Sequence, residues 1–321
     1  MSTILLTGSS GFIGQALAWR LTSEGHHLRL AIRSPLPWQL DETDVFHFQG
    51  LEAATNWTEA LSGVEVVVHC AGRAQVMDET AANPLAEYRR CNAESTVRLA
   101  TQAARAGVRR FVFLSTIKVC GEQTLPGQPF SIDSVPAPAS PYAVSKLEAE
   151  LALFSLTASS GMEIVIVRPP LVYGPGVKGS FLRMMEWIAR GRPLPLAGGA
   201  HCKRSLVSRS NLVDLLARCA HHPAAGGHIL HVSDGEDLTM PDLFHRLGAA
   251  LGKPPRLIHA PGWLLKSGLT LLGRRKLFDQ LTAPLEVNIS HTRQLLDWTP
   301  PYAVEDALAQ TAAHFRRHWQ R

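Results

Sequence analysis

Cysteine pairs and basic runs are scarce in this 321-residue chain. The five cysteines are scattered without a C-x-x-C pair: Cys70, Cys91, Cys120, Cys202 and Cys219. This set argues against a disulfide framework and, since no signal-peptide pattern is seen, predicts reduced thiols in the cytoplasm. The short basic run Arg274-Arg275-Lys276 is a poor basis for a nucleic-acid partner, and we expect none.

Metal-binding and membrane-spanning patterns are missing as well. The pairs His26-His27 and His221-His222 lack the neighbouring ligands of a zinc site, so we expect no metal. The longest apolar stretch, 262–273, is interrupted by Lys266 and is too short to cross a bilayer. Its leucines predict a helix face that packs on the protein body, with peripheral membrane contact as the alternative.

The bulk properties that remain are those of an ordinary globular protein. With 45% hydrophobic and 18% charged residues, the chain can form one large α/β domain and a smaller lobe. Its formal net charge of +5 suits an anionic ligand such as a nucleotide.

Strand and helix patterns alternate through the first half of the chain. Strands are predicted at Ile4–Thr7, Leu28–Ile32, Val45–Phe48, Val64–His69, Phe111–Leu114 and Glu163–Val167, and helices at Ile13–Leu21, Glu87–Ala106 and Tyr142–Ser159. This order predicts a Rossmann-type doubly wound parallel sheet with a smaller C-terminal substrate lobe. Residues 1–167 would bind a dinucleotide, with the chain returning around 207–232. Residues 168–206 and 233–321 would form the lobe.

A glycine-rich loop follows the first predicted strand. Gly8, Gly11 and Gly14 stand in a G-x-x-G-x-x-G run between that strand and the helix at Ile13–Leu21. Glycines permit the tight turn and close backbone approach, and the helix N-terminus offers unpaired N–H groups to a pyrophosphate. The loop therefore predicts a phosphate cradle.

A tyrosine and a lysine lie one helical turn apart further along. Tyr142 and Lys146 share a helix face, and Ser140-Pro141 supplies an N-cap and a first-turn proline. An ammonium nearby favours the phenolate, so we expect Lys146 to lower the pKa of Tyr142. The strand-end run Leu114-Ser115-Thr116 can place a hydroxyl beside the phenol to hold a substrate oxygen.

Together these motifs resemble the extended short-chain dehydrogenase/reductases, in their NAD-dependent epimerase/dehydratase branch. The resemblance implies a catalytic set of Thr116, Ser115, Tyr142 and Lys146, with a homodimer formed through the helices at Glu87–Ala106 and Tyr142–Ser159. The cofactor residues it implies are Gly8, Ser10, Gly11, Phe12, Ile13, Gly14, Arg33, Cys70, Ala71, Gly72, Asn92, Tyr142, Lys146 and Pro169.

Three features, at four positions, depart from the family pattern. Ile117 and Lys118 replace the Asp-Glu pair that follows the hydroxyl in sugar 4,6-dehydratases, which argues against that activity. Cys120 replaces a tyrosine, and we assign it no role. Arg33 stands where NAD-selective members have an acidic residue, so NADP(H) is expected to be preferred, with NAD(H) possible. A solvated strand-end arginine is the other interpretation.

The substrate lobe offers fewer signals. Lys178, Ser180 and Arg204 match places where relatives contact a nucleotide diphosphate, although Arg204 can equally be a surface residue. Residues 280–282 replace a second arginine of the relatives. Trp298-Thr299-Pro300-Pro301 closes the lobe in a structural role.

The resemblance and the departures together suggest an NADPH-dependent 4-ketoreductase of a nucleotide sugar. The expected reaction converts a UDP-2-acetamido-2,6-dideoxy-4-keto-hexose to UDP-N-acetylquinovosamine or its fucosamine isomer, for surface polysaccharide (lipopolysaccharide O-antigen) synthesis. The alternative is a UDP-hexose 4-epimerase with tightly bound NAD. A non-catalytic NAD(P) sensor and a reductase of aromatic or steroid ketones are further possibilities.

Overall fold

The computed structural model describes residues 1–38, 40, 43–52, 54–74, 81–196, 202–259 and 283–319. The apolar stretch 262–273 and positions 280–282 lie outside the described residues. The predictions made for these two segments therefore stay predictions.

A parallel sheet of seven strands forms the centre of the fold. The strands in chain order are β1 (Thr3–Thr7), β2 (His27–Ile32), β3 (Thr43–His47), β4 (Val66–His69), β5 (Arg110–Leu114), β6 (Glu163–Arg168), β7 (Leu171–Tyr173), β8 (Pro193–Leu196), β9 (Lys203–Ser208), β10 (Ile229–His231), β11 (Asp237–Thr239) and β12 (Arg256–His259). The sheet has the order β3-β2-β1-β4-β5-β6-β10, and its neighbours are parallel. This confirms the predicted Rossmann-type sheet. β10, which follows β7 and β9 in the chain, forms the edge beside β6.

Helices cover both faces of this sheet. In chain order they are α1 (Phe12–Ser23), α2 (Thr58–Leu61), α3 (Pro84–Tyr88), α4 (Ser95–Arg105), α5 (Pro141–Ser160), α6 (Gly179–Ala189), α7 (Arg209–His221), α8 (Met240–Leu251), α9 (Ser290–Leu296) and α10 (Val304–Trp319). Successive strand residues point to opposite faces, so Leu6 packs in the core under α1 and α7, while Leu5 packs under α4 and α5. Burial on both faces explains the near-continuous apolar strands.

The helix predicted over Glu87–Ala106 differs from the observed one. It begins earlier, because Asn83 caps α3 by accepting from Ala86 N–H and Pro84 fits the first turn. Between α3 and α4 the chain forms a π-helical turn at Arg89–Glu94. Such turns insert one residue into the helical ladder and are frequent at functional sites.

Helix α5 begins at the predicted cap and ends within one residue of the predicted Ser159. Ser140 accepts a hydrogen bond from Ala143 N–H, and Pro141 occupies the first helical position. Gly161, with φ of 68°, takes the left-handed conformation that ends the helix. These two ends fix where each side chain of α5 meets the sheet.

The C-terminal lobe has its own sheets and its own core. β9 lies between β7 and β11, and β8 pairs with β12. Apolar side chains of α6, α8 and α10, among them Phe181, Leu247 and Leu308, form a separate cluster around Tyr173. Among the described residues, no helix is long and apolar enough to span a membrane.

Candidate active site

The glycine loop presents the N-terminus of α1 at the carboxyl edge of the sheet. Gly11 caps the helix, and its carbonyl accepts the first intrahelical hydrogen bond, from Gln15 N–H at 3.0 Å. The N–H groups of Phe12 and Ile13 precede that bond, so they remain available to an anion. Ser10 and Gly11 are exposed beside them.

Close backbone contacts make glycine necessary in this loop. A Cβ on Gly14 would lie 2.2 Å from the Gly8 carbonyl oxygen. A Cβ on Gly8, whose φ is +78°, would lie 2.7 Å from Ala71 N. The loop therefore presses against the end of β4, and its open side fits a dinucleotide pyrophosphate.

A buried relay joins the ends of β1 and β4 to the π-helical turn. Thr7 Oγ1 lies 2.7 Å from His69 Nδ1, and His69 Nε2 lies 2.9 Å from Thr96 Oγ1. Thr96 donates to the Asn92 carbonyl at 2.7 Å, so its oxygen accepts from His69, and Thr7 donates to the ring. Burial lowers the pKa of His69 to about 3, with Lys146 adding to the effect, which keeps the imidazole neutral.

Asn92 holds the loop after β4 against α5. Its side chain accepts from Arg73 N–H at 2.7 Å and donates to the Arg73 carbonyl and to Ser145 Oγ. A Cβ on Gly72 would lie 3.0 Å from Asn92 Oδ1 and 3.5 Å from Lys146 Nζ. The predicted cofactor residues of this loop thus converge on Lys146. Beside them, burial raises the pKa of the Cys70 thiol to about 12 and keeps it protonated.

Tyr142, Thr116 and Lys146 come together as predicted. The Thr116 side chain is close enough to the Tyr142 phenol to act on its pKa. Lys146 is buried, donates to the Leu114 carbonyl at 2.9 Å, and lies 4.3 Å from the centre of the Phe113 ring. A phenol, a hydroxyl and an amine therefore face the same edge of the sheet.

The pKa values differ from the sequence-based expectation. Burial and the neighbouring Tyr88 raise the pKa of Tyr142 to about 12, and Thr116 acts against them. Burial lowers the pKa of Lys146 to about 8. The predicted lowering of the Tyr142 pKa by Lys146 is thus not observed, because the amine bonds to the Leu114 carbonyl and burial dominates both groups. The phenol is a proton donor in this state.

Ser115 faces away from this group. Its hydroxyl donates a short, buried hydrogen bond to Glu150. Glu150 also pairs with Arg168, whose guanidinium donates to Cys120 Sγ at 3.4 Å. The structure therefore joins Ser115 to an ionic network beneath the site, leaving Thr116 as the hydroxyl at Tyr142. Pro169 follows Arg168, and its carbonyl accepts from Ile117 N–H at 2.9 Å.

Arg33, Lys178 and Ser180 are exposed, whereas Arg204 is not. Arg33 is exposed directly after β2. Lys178 and Ser180 are exposed at the start of α6. Arg204 is half-buried, donates to the Ala283 carbonyl, and has its pKa lowered by burial. The cofactor half of the site is therefore closely packed, and the predicted substrate cations lie at its margins.

Arg209 was not predicted and lies beside the glycine loop. Its guanidinium carbon lies 5.2 Å from the centre of the Phe12 ring, and Nη1 lies 3.5 Å from the Phe12 carbonyl. Burial lowers its pKa, and no carboxylate pairs with it within the described part of the chain. A half-buried cation near the N-terminus of α1 adds positive potential where a pyrophosphate would bind.

Comparison with known proteins identifies this arrangement. A model of the NAD dependent epimerase/dehydratase family matches residues 4–233. The chain belongs to this family. It is accordingly a nucleotide-sugar epimerase/dehydratase-family enzyme of the extended short-chain dehydrogenase/reductase type, in a family that depends on NAD.

Curated relatives extend the match over nearly the whole chain. The UDP-glucose 4-epimerase of Vibrio cholerae is 43% identical over 314 residues, covering 98% of this chain and 95% of that protein. The 2-alkyl-3-oxoalkanoate reductase of Stenotrophomonas maltophilia is 31% identical over 259 residues, covering 78% and 76%.

Solved structures agree on the fold. The UDP-glucose 4-epimerase of Thermotoga maritima with UDP-glucose superposes with a TM-score of 0.81 at 21% identity, covering 99% of both chains. MoeE5 in complex with UDP-glucose and NAD gives a TM-score of 0.79 at 24% identity, covering 99% of both chains.

Proposed function

We propose that this enzyme is a UDP-hexose 4-epimerase that retains its dinucleotide through the reaction. The observation that carries the proposal is the paired Tyr142 and Thr116 hydroxyls next to buried Lys146, in a chain 43% identical to a UDP-glucose 4-epimerase. The same site can also serve net reduction of a ketone, so the fate of the cofactor distinguishes the two activities.

Each residue of the site has a separate role in the reaction at the sugar C4 position. A bound nicotinamide supplies the hydride acceptor and donor. Tyr142 would accept the C4 hydroxyl proton as the phenolate, a form that the positive charge of a bound oxidised nicotinamide would favour over the protonated phenol described above. It would return that proton to the C4 oxygen when the 4-keto sugar is reduced from its opposite face. Thr116 would hydrogen-bond the phenol and the sugar oxygen, and Lys146 would hold the cofactor ribose. The substrate and product are then isomers, with no net oxidation.

Sugar dehydration requires acids that are missing at the expected positions. Ile117 is buried in the core, and Lys118 forms an ion pair with Glu122 at 3.0 Å. Neither residue supplies a carboxyl group at these two positions to protonate a leaving C6 hydroxyl. Removal of water is therefore disfavoured relative to epimerisation.

The test combines product analysis with identification of the cofactor. Purified enzyme is incubated with UDP-glucose and, separately, with UDP-N-acetylglucosamine, without added cofactor, and the products are separated by anion-exchange chromatography. We expect the C4 epimer to form and NAD to be released from the denatured protein in near-stoichiometric amount. Absence of epimer with both sugars would refute the proposal.

A 4-ketoreductase is the second candidate, and Arg33 is the observation that favours it. An exposed guanidinium after β2 can bind the 2′-phosphate of NADPH, a cofactor suited to net reduction. Stoichiometric oxidation of added NADPH with UDP-4-keto-6-deoxy-N-acetylglucosamine would support this activity. Arg33→Ala would then weaken NADPH binding while leaving NADH binding nearly unchanged.

We further propose a homodimer through α4 and α5. A shallow groove between them is lined by apolar and charged residues, including Ala93, Val97, Ala152 and Glu148, and Leu151 is 60% exposed on the same helix pair. Light scattering of the full chain should give a mass of two copies. Leu151→Glu should shift it towards the monomer, whereas the exposed Leu125→Glu should not.

A further inference from the structure

Two histidines without an assigned role, His26 and His221, contact each other at the C-terminal end of α1. His26 follows that helix, and His221 is the last residue of α7. Their rings stack with centroids 4.3 Å apart and planes inclined by 11°. Glu24, the C-cap of α1, completes the group. Since α1 has twelve residues, this group lies about 18 Å along the helix from the glycine loop.

The three side chains converge closely enough to share one ion. One ligand atom from each of Glu24, His26 and His221 lies within 4.8 Å of the others. Glu24 Oε2 is 3.8 Å from His221 Nε2. A tetrahedral zinc ion would bring such atoms to roughly 3.4 Å, given metal–ligand bonds of roughly 2.1 Å. Because the imidazole planes of His26 and His221 are nearly parallel, the rings must also rotate out of their stack for both lone pairs to reach one ion.

The ligand atoms are also available. Neither ring nitrogen of His221 has a hydrogen-bond partner among the described residues, although both are shielded from water. His26 Nδ1 accepts one long bond, from Ser2 N–H at 3.3 Å. Arg20 contacts Glu24 through Oε1 and leaves Oε2 towards His221. A metal would satisfy one of the two orphaned nitrogens of His221, and of the contacts named here it would displace only the long Ser2–His26 bond.

The cations beside this group are already bound to other carboxylates and carbonyls. Arg110 is already bound to Glu163 and to the carbonyls of Cys219 and His222. Arg20 is shared between Glu24 and Asp214.

We propose that Glu24, His26 and His221 form a surface site for a borderline divalent transition metal such as Zn²⁺, with solvent completing the coordination. Two imidazoles and one carboxylate are a donor set that zinc accepts. The ion would fasten the C-terminal ends of α1 and α7, which pack on the same face of the sheet. It would act on stability, since the catalytic residues lie at the opposite edge.

The experiment uses untagged, full-length protein stripped with EDTA. Zinc binding is measured by competition with a chromophoric chelator, and the melting temperature is measured with and without Zn²⁺. We expect one ion per chain and a melting temperature raised by about 2 °C or more. His26→Ala and Glu24→Gln should each weaken binding at least tenfold, and His221→Ala should abolish it.

The neighbouring histidines provide matched controls. His27 pairs with Asp44 and His222 follows α7, so His27→Ala and His222→Ala should retain wild-type zinc affinity. Equal loss in these controls, or no binding by the wild-type protein at 100-fold molar excess of Zn²⁺, would overturn the proposal. Glu24→Gln keeps the size and neutral contacts of the side chain, so its effect is read independently of any folding defect in the histidine variants.

Discussion

Two buried hydrogen-bond networks hold the strand ends at the active site against the neighbouring helices. One network is neutral and the other is ionic. In the neutral network, Thr7, His69 and Thr96 link the ends of β1 and β4 to the π-helical turn. In the ionic network, Ser115, Glu150 and Arg168 link the ends of β5 and β6 to α5. The neutral relay depends on a histidine remaining unprotonated, whereas the ionic one depends on both charges being present. The two networks should therefore respond differently to substitution and to pH.

Tyr142→Phe should have the largest effect of the variants, and it should lower turnover without changing stability. The phenol belongs to neither network, so folding should be unaffected while turnover falls by about 100- to 10,000-fold. Steady-state rates and the amount of bound dinucleotide measure the two effects. Near-normal turnover would remove Tyr142 from the mechanism.

Glu150→Gln breaks the ionic network. It leaves Arg168, which is 3% exposed, as an unpaired buried charge, and we expect a loss of about 3–5 kcal/mol in the free energy of unfolding. Glu148→Gln, two positions earlier, removes an exposed ion pair with Arg89 and should cost about 1 kcal/mol or less. Urea denaturation compares them. Equal losses would mean that the buried ion pair contributes no more to the free energy of unfolding than the exposed one.

Lowering the pH should destabilise the fold through the neutral relay of Thr7, His69 and Thr96. The pKa of His69 falls from 6.5 in the unfolded chain to about 3 in the fold. The unfolded state then binds more protons below pH 6.5, so the contribution is complete above that pH and is lost as the pH falls towards 3. Between pH 6.5 and pH 5 we expect a loss of about 2 kcal/mol from His69.

The matching variant is His69→Gln, measured by urea denaturation across the same range. Its stability should depend less steeply on pH than that of the wild type. The remaining slope would come from other groups, including His231, whose pKa burial lowers to about 4. An unchanged slope would exclude His69 as the titrating group.

Thr96→Val should have a smaller effect on the same relay. It removes the acceptor of His69 Nε2 at a fully buried position, which costs about 1–3 kcal/mol. Thr101→Val, on the same helix and only partly buried, should stay within about 0.5 kcal/mol of the wild type. Thermal unfolding with both variants tests whether the relay accounts for the difference.

Cys120→Ala should have the smallest effect. Sulfur is a weak acceptor, so losing its contact with Arg168 should cost about 1 kcal/mol or less. Cys120→Ser offers a stronger acceptor and should be at least as stable as Cys120→Ala. A loss as large as that of Glu150→Gln would show that the ionic network extends through the sulfur.

Local patterns predicted much of the fold and the centre of the site. The glycine loop, the cap of α5 and the Tyr142–Lys146 spacing each lie within a few residues of sequence. Glu150 stands one further turn along the same helix face, at i+4 from Lys146, and that spacing could have revealed it. Its partner Arg168 comes from a different strand, which periodicity does not indicate.

Contacts between distant segments could not be predicted in this way. His69 and Thr96 meet because β4 and α4 pack together, and His26 and His221 meet because α1 and α7 share one face of the sheet. Arg209 lies at Phe12 for the same reason. The pKa of Tyr142 was also predicted with the wrong sign, because burial depends on the tertiary surroundings and outweighs the neighbouring amine.

The late arrival of β10 has a consequence for synthesis on the ribosome. β6 ends at Arg168, and its partner β10 begins only at Ile229. At about 5–20 residues per second, the nascent chain exposes the edge of β6 for about 3–12 s before β10 is available. An open, apolar parallel strand is a template for pairing with another chain. Premature termination within this interval should therefore yield aggregation-prone fragments, and chaperone capture should be strongest there.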